Sequence, residues 1–145
     1  MGVYTKQYNE IVDSIVSECV VYPAVDASEA EGVKGVKTDN AVWDTGATQT
    51  LISPKIAKEL GLKVVAQCEV DSFDGVSKTN LYDVHIGLPT GDAILNVEAM
   101  ETTGEAYDVV IGMDVICYGD FAFTNKDGKS TFSFRLPSQE EITFK

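Results

Sequence analysis

Ala41-Val42-Trp43-Asp44-Thr45-Gly46-Ala47-Thr48 sets one carboxylate between an apolar strand and a glycine turn. An aspartate at a strand end is ordinarily a turn former, its carboxylate accepting hydrogen bonds from the N–H groups that follow it. Here the apolar run 41–43 delivers Asp44 to the edge of a core. Thr45, Gly46, Ala47 and Thr48 then offer small groups and hydroxyls that can surround a carboxylate without covering it. The chain supplies one such site, whereas chemistry by a carboxylate pair requires two.

Outward from this stretch, most of the 145 residues read as short strands separated by Gly, Asn and Asp turns. Residues 11–24 form one long bent strand or two short ones, and 26–35 a polar hairpin turn. Strands follow at 34–38, 40–43 and 49–52. One helix is signposted: Ser53 caps it, Pro54 takes its first position, Ile56, Ala57 and Leu60 form its apolar stripe, and Gly61 stops it. Residues 64–70 and 76–86 flank Ser72-Phe73-Asp74-Gly75, a strong hairpin signal. Leu88-Pro89-Thr90-Gly91 makes a second turn before a strand at 93–99. Tyr107 to Ile111 is a buried-looking strand ending at Gly112, and Met113 to Tyr118 can start a turn of helix. Phe121, Phe123, Phe132 and Phe134 alternate around Asn125-Lys126-Asp127-Gly128 and are expected to face the core of a late hairpin.

Composition narrows the function. A net charge of −12, with 11 basic residues and Arg135 the single arginine, argues against a nucleic-acid partner. No apolar run approaches the roughly 20 residues of a membrane span, so no membrane partner is expected. The start of the chain lacks the basic and apolar segments of a signal peptide, and Cys19, Cys68 and Cys117 are isolated, which together suggest reduced thiols and a cytoplasmic location. One histidine, His85, and no Cys-x-x-Cys pair leave no metal or cofactor expected.

Asp44-Thr45-Gly46-Ala47, with apolar residues before it and Thr50-Leu51-Ile52-Ser53 after it, resembles the active-site signature of retropepsin-like aspartic proteases. Ile56-Ala57-Lys58-Glu59-Leu60-Gly61-Leu62 resembles the helix that follows the signature in cellular and bacterial members. Val110-Ile111-Gly112-Met113-Asp114 resembles their apolar-apolar-Gly segment beneath the catalytic loop. The resemblance implies an all-β acid-protease barrel with one short helix, a single domain over 1–145, and a homodimer in which each chain contributes half of a two-fold symmetric site. It implies Asp44 as the catalytic residue and Thr45, Gly46 and Ala47 as support of its loop. Phe73, Asp74, Gly75 and Val76 correspond to a flap over bound peptide, and Ile111 and Gly112 to loop support or a substrate pocket.

Three functions are consistent with these residues. The first is an aspartic endopeptidase acting on extended peptides through a water held by two Asp44 carboxylates. The second is a dimer that binds peptide with weak or no hydrolysis, motivated by a flap where Asp71, Asp74 and Lys78 surround only Phe73 and Val76. The third is an interaction domain in which Asp44 merely holds a turn.

Overall fold

The computed structural model describes residues 2–25, 32–72 and 74–145. The turn expected at 26–35 therefore lies mostly outside the described residues, as does Phe73.

Among the described residues, ten strands divide between two sheets. In the smaller sheet, β1 (Gly2–Gln7) and β9 (Asp120–Thr124) flank β10 (Thr131–Leu136), all antiparallel. The larger holds β2 (Val16–Pro23), β3 (Val36–Trp43), β4 (Leu51–Ile52), β5 (Ala66–Ser72), β6 (Gly75–Gly87), β7 (Ala93–Glu101) and β8 (Val109–Ile111). Its order is β2-β3-β8-β4-β7-β6-β5, and β2 also pairs with β6. Two α-helices among the described residues, α1 (Pro54–Glu59) and α2 (Met113–Ile116), follow β4 and β8.

This corrects the expected all-β barrel with one short helix: the strands do not form one barrel, and the fold is mixed α/β. The smaller sheet separates because the late Phe hairpin pairs with β1, a strand that the polar N-terminal residues did not announce. The second helix exists because the chain turns immediately after β8 at Gly112, whose carbonyl accepts from the N–H groups of Val115 and Ile116 at 3.1 and 3.0 Å.

The expected first helix forms as its punctuation requires. Ser53 Oγ accepts from Ile56 N–H at 3.2 Å, and Pro54 occupies the first turn. At the other end Gly61 N–H donates to Lys58 O and Leu62 N–H to Ala57 O, a closure that needs a left-handed residue at position 61. Ile56 and Ala57 are buried and hold this short helix on the core.

The core lies between the sheets and along the larger one. Trp43 sits 4.8 Å from the Phe134 ring and 5.0 Å from Phe132, with Phe121 5.1 Å from Phe132. Phe132 and Phe134 are fully buried and Phe121 and Phe123 half-buried, so all four expected core-facing rings pack inward. The Trp43 indole N–H would be costly to bury unpaired; it donates to Ser17 Oγ at 2.8 Å, which also accounts for a buried serine on β2. One irregularity shapes β3. Ser17 faces Ala41 but Cys19 faces Thr38, so β3 carries one extra residue. That shift brings Thr38, Ala41 and Trp43 all to buried positions despite their odd spacing.

Candidate active site

The placement of Asp44 follows from strand order. β8 lies between β3 and β4, parallel to β3 and antiparallel to β4, with Trp43 level with Ile111. The chain leaving β3 must therefore pass over the end of β8 to reach β4. Residues 44–50 make that crossing.

The crossing is pinned throughout. Asp44 N–H donates to Ile111 O at 2.9 Å, Ala47 N–H to Asp44 O at 3.1 Å, and Met113 N–H to Ala47 O at 2.8 Å. Gly112 runs directly beneath. A Cβ there would come within 2.8 Å of the Gln49 carbonyl carbon and 2.9 Å of the Ala47 carbonyl oxygen, so only glycine allows this approach. Asp44, Thr45 and Gly46 are exposed, Ala47 is half-buried, and Ile111 and Gly112 are buried under them. Asp44 Oδ1 accepts from Gly46 N–H at 2.9 Å, a turn-forming bond that still leaves the carboxylate at the surface.

The structure thus brings Asp44, Thr45, Gly46 and Ala47 together with Ile111 and Gly112. Asp74, Gly75 and Val76 belong to a different place. Strand β6 pairs with β7 over residues 81–87, whereas 75–80 pair with β5 alone, so the hairpin extends as a two-stranded arm with Gly75 to Lys78 exposed. Tyr82 lies in the body of the sheet, buried, with its hydroxyl donating to Glu101 Oε1 at 3.1 Å. Burial and the nearby Glu101 charge raise its pKa.

A family profile described as "gag-polyprotein putative aspartyl protease" matches residues 32–117, more than half of the chain. The chain belongs to this retropepsin-like aspartic protease family. Among solved structures, a retropepsin-like aspartic protease from Rickettsia conorii is similar at a TM-score of 0.55 and 14% identity, covering 90% of this chain and 91% of that one. Simian foamy virus (mac) protease is similar at a TM-score of 0.49 and 14% identity, covering 72% and 93%. No curated protein sequence matches. At such identity the Rickettsia structure speaks for a shared fold.

Within this retropepsin-like chain, two residues that hold the loop were not evident from sequence. Thr50 N–H donates to Asp114 Oδ2 at 3.0 Å and Thr50 Oγ1 to Asp114 Oδ1 at 2.8 Å; Gly112 N–H donates to Thr50 Oγ1 at 3.1 Å. Asp114 closes the Ile-Gly-Met-Asp segment, but its partner lies 64 residues earlier. The one available hint was a hydroxyl residue, Thr50, directly before the apolar pair Leu51-Ile52; in the fold it is fully buried.

The surroundings fix what the site can do. A cleft of about 410 Å³ beside the loop is lined by Thr48, Gln49, Leu95, Glu98, Asp114 and Tyr118. Asp44 itself borders a smaller recess of about 250 Å³ with Ile15, Trp43 and Phe123. Among the described residues no cluster of His, Cys, Asp or Glu could hold a metal, and no helix is long and apolar enough to cross a membrane. Burial pushes the Cys19 thiol up to about 12, aided by the Asp108 charge, so it stays protonated and unreactive near neutrality. One chain presents one carboxylate at its crossing. Amide hydrolysis by carboxylates needs one group as base and a second as acid.

Proposed function

We propose that two copies of this chain pair about a two-fold axis, each supplying Asp44, and that the pair hydrolyses extended peptides. The observation that carries this reading is the exposed Asp44 carboxylate on a crossing pinned to Ile111–Gly112, within a chain of this protease family. Two carboxylates a few ångströms apart do not both ionise readily, so they share one proton. The ionised member takes a proton from a water held between them. The protonated member donates to the peptide carbonyl oxygen as the water oxygen bonds to the carbonyl carbon. The resulting diol loses its C–N bond as the nitrogen gains a proton, giving an acid and an amine without a covalent enzyme intermediate.

The remaining residues take supporting roles in this reading. Thr45, exposed beside Asp44, reaches toward the partner crossing, while Gly46 and Ala47 form the floor. The β5–β6 arm, with Asp74, Gly75 and Val76 at its tip, closes over the substrate. An extended peptide would gain affinity from main-chain hydrogen bonds and selectivity from alternate side chains. The whole of residues 1–145 acts as one half-site.

The test is Asp44→Asn, assayed on a library of unstructured peptides at acid and neutral pH. Cleavage should fall by at least about a thousandfold, while melting temperature and dimer mass by sedimentation stay unchanged. Cleavage that survives the substitution ends the endopeptidase reading. Capture of peptide with no turnover by the unsubstituted protein replaces it with a binding dimer.

A further inference from the structure

We infer that Asp114, acting through Thr50, is a positioning residue that fixes Asp44 at the spacing its partner carboxylate requires. The inference rests on the endopeptidase reading and extends it to residues that take no part in the proton transfers proposed above.

The direction of the relay is forced by chemistry. Gly112 N–H can only donate and an ionised Asp114 carboxylate can only accept, so the Thr50 hydroxyl accepts from the first and donates to the second. Asp114 Oδ2 also takes Thr50 N–H, leaving each oxygen of the carboxylate engaged by the same residue. Thr50 is fully buried and Gly112 is buried, so neither group has water as a substitute partner. The relay joins the exit of the crossing, at Thr50, to the strand end beneath it, at Gly112, and to the start of α2, at Asp114. The entry is joined to the same strand end by Asp44 N–H on Ile111 O. Asp44 is therefore fixed from both ends of its loop. A two-fold pair doubles any error in that placement, and a displacement near 1 Å costs a reaction on the order of a hundredfold.

Isosteric substitutions break the relay without opening space. Thr50→Val removes the hydroxyl, leaving the buried Gly112 N–H without a partner and Asp114 Oδ1 without its Thr50 donor. Asp114→Asn presents an NH₂ group either to Thr50 N–H, setting donor against donor, or to Thr50 Oγ1, stranding the hydroxyl proton. Thr50→Ser keeps every bond.

The experiment compares kcat, KM and the pH–rate profile of these three variants with the unsubstituted dimer, beside the folded fraction of each. Thr50→Val and Asp114→Asn should lower kcat by about a hundredfold with KM within about threefold, and Thr50→Ser should retain kcat within about threefold. Carboxylates held farther apart couple less, so the two limbs of the profile should draw together in Thr50→Val and Asp114→Asn. A merely structural role would lower the rate in proportion to the unfolded fraction and leave the profile unmoved. That result, or full kcat in both variants, overturns the inference. Should Thr50→Val fail to fold, Asp114→Asn against Thr50→Ser decides it alone. Inactivity of the unsubstituted protein defeats the endopeptidase reading instead. Amide exchange then decides the positioning: Gly46, Ala47 and Met113 should exchange at least about tenfold faster in Asp114→Asn with Phe132 and Phe134 unchanged, and equal exchange overturns it.

Discussion

The Asp44 crossing and the β5–β6 arm are both exposed segments of the larger sheet, yet they are secured by different means. The crossing leaves Asp44, Thr45 and Thr48 exposed, while the backbone of Asp44 and Ala47 and the buried Thr50 hydroxyl tie it to residues 111–113. The arm has a regular ladder from Gln67–Asn80 to Ser72–Gly75, but only two strands thick and with both sides near solvent at its tip. A two-stranded ribbon alone is marginal in water, so the arm depends on its base, where Asn80 Nδ2 and Tyr82 OH converge on Glu101. Exposure of a side chain thus says little about how firmly its backbone is held. A reacting carboxylate requires fixed placement, whereas a segment that admits and covers a peptide must open at small cost.

Gly112→Ala should break this contrast most strongly. Its Cβ meets backbone carbonyls, not the flexible end of a side chain, so the crossing itself must lift. We expect a loss of stability of about 1–3 kcal/mol in chemical denaturation, with cleavage reduced beyond what the unfolded fraction explains. An alanine accepted without loss would mean that the crossing yields as readily as the arm.

The C-terminal segment gives an intermediate case. Asp120 accepts from Ser138 Oγ, from Gln139 N–H at 2.8 Å and from Arg135 Nε at 2.8 Å, and Arg135 also meets Glu140 at 3.1 Å. The Ser138 hydroxyl, then the Gln139 amide and Arg135, hold the Asp120 carboxyl well below the usual carboxylate range. The unfolded chain, where Asp120 titrates near 3.8, then binds more protons than the folded one. Stability from Asp120 is therefore fully present above about pH 4 and is lost as pH falls from there through the lower folded pKa. Asp120→Asn should lower the melting temperature at pH 7 and flatten its fall below pH 4, by less than Gly112→Ala changes stability. Parallel melting curves across this range would show that the segment is not anchored through Asp120.

The parts legible in the sequence were those whose causes are local. Ser53, Pro54 and Gly61 announce α1 because capping acts within a few residues. The Asp-Gly pair 74–75 marks the arm for the same reason, and the Phe alternation at 121–134 marks the core of a hairpin. The strand at 2–7 was missed because alternation there runs through Thr5, Lys6 and Gln7, polar residues whose pairing is decided by β10, over a hundred residues away. The division into two sheets was lost with it. Asp44 stood out because its apolar and glycine neighbours are adjacent, while Thr50 and Asp114 acquire meaning only when the crossing sets them side by side. Local chemistry singled out the Asp44 carboxylate; long-range pairing determined what holds its loop.

Val76→Ser should have the smallest effect and bears most directly on the arm. Val76 is 63% exposed beside the tip, so its methyl groups contribute little to the folded core. Stability should remain within about 0.5 kcal/mol, the range of surface substitutions away from structural features. If the arm closes on substrate, those methyl groups become covered only in the complex, and losing them weakens binding of the substrate and the transition state together. KM should then rise several-fold with kcat nearly constant, a split that steady-state kinetics on a single peptide resolves. An unchanged KM would place the substrate away from the arm tip, and a fall in kcat alone would give the arm the placement role assigned to the Asp44 crossing.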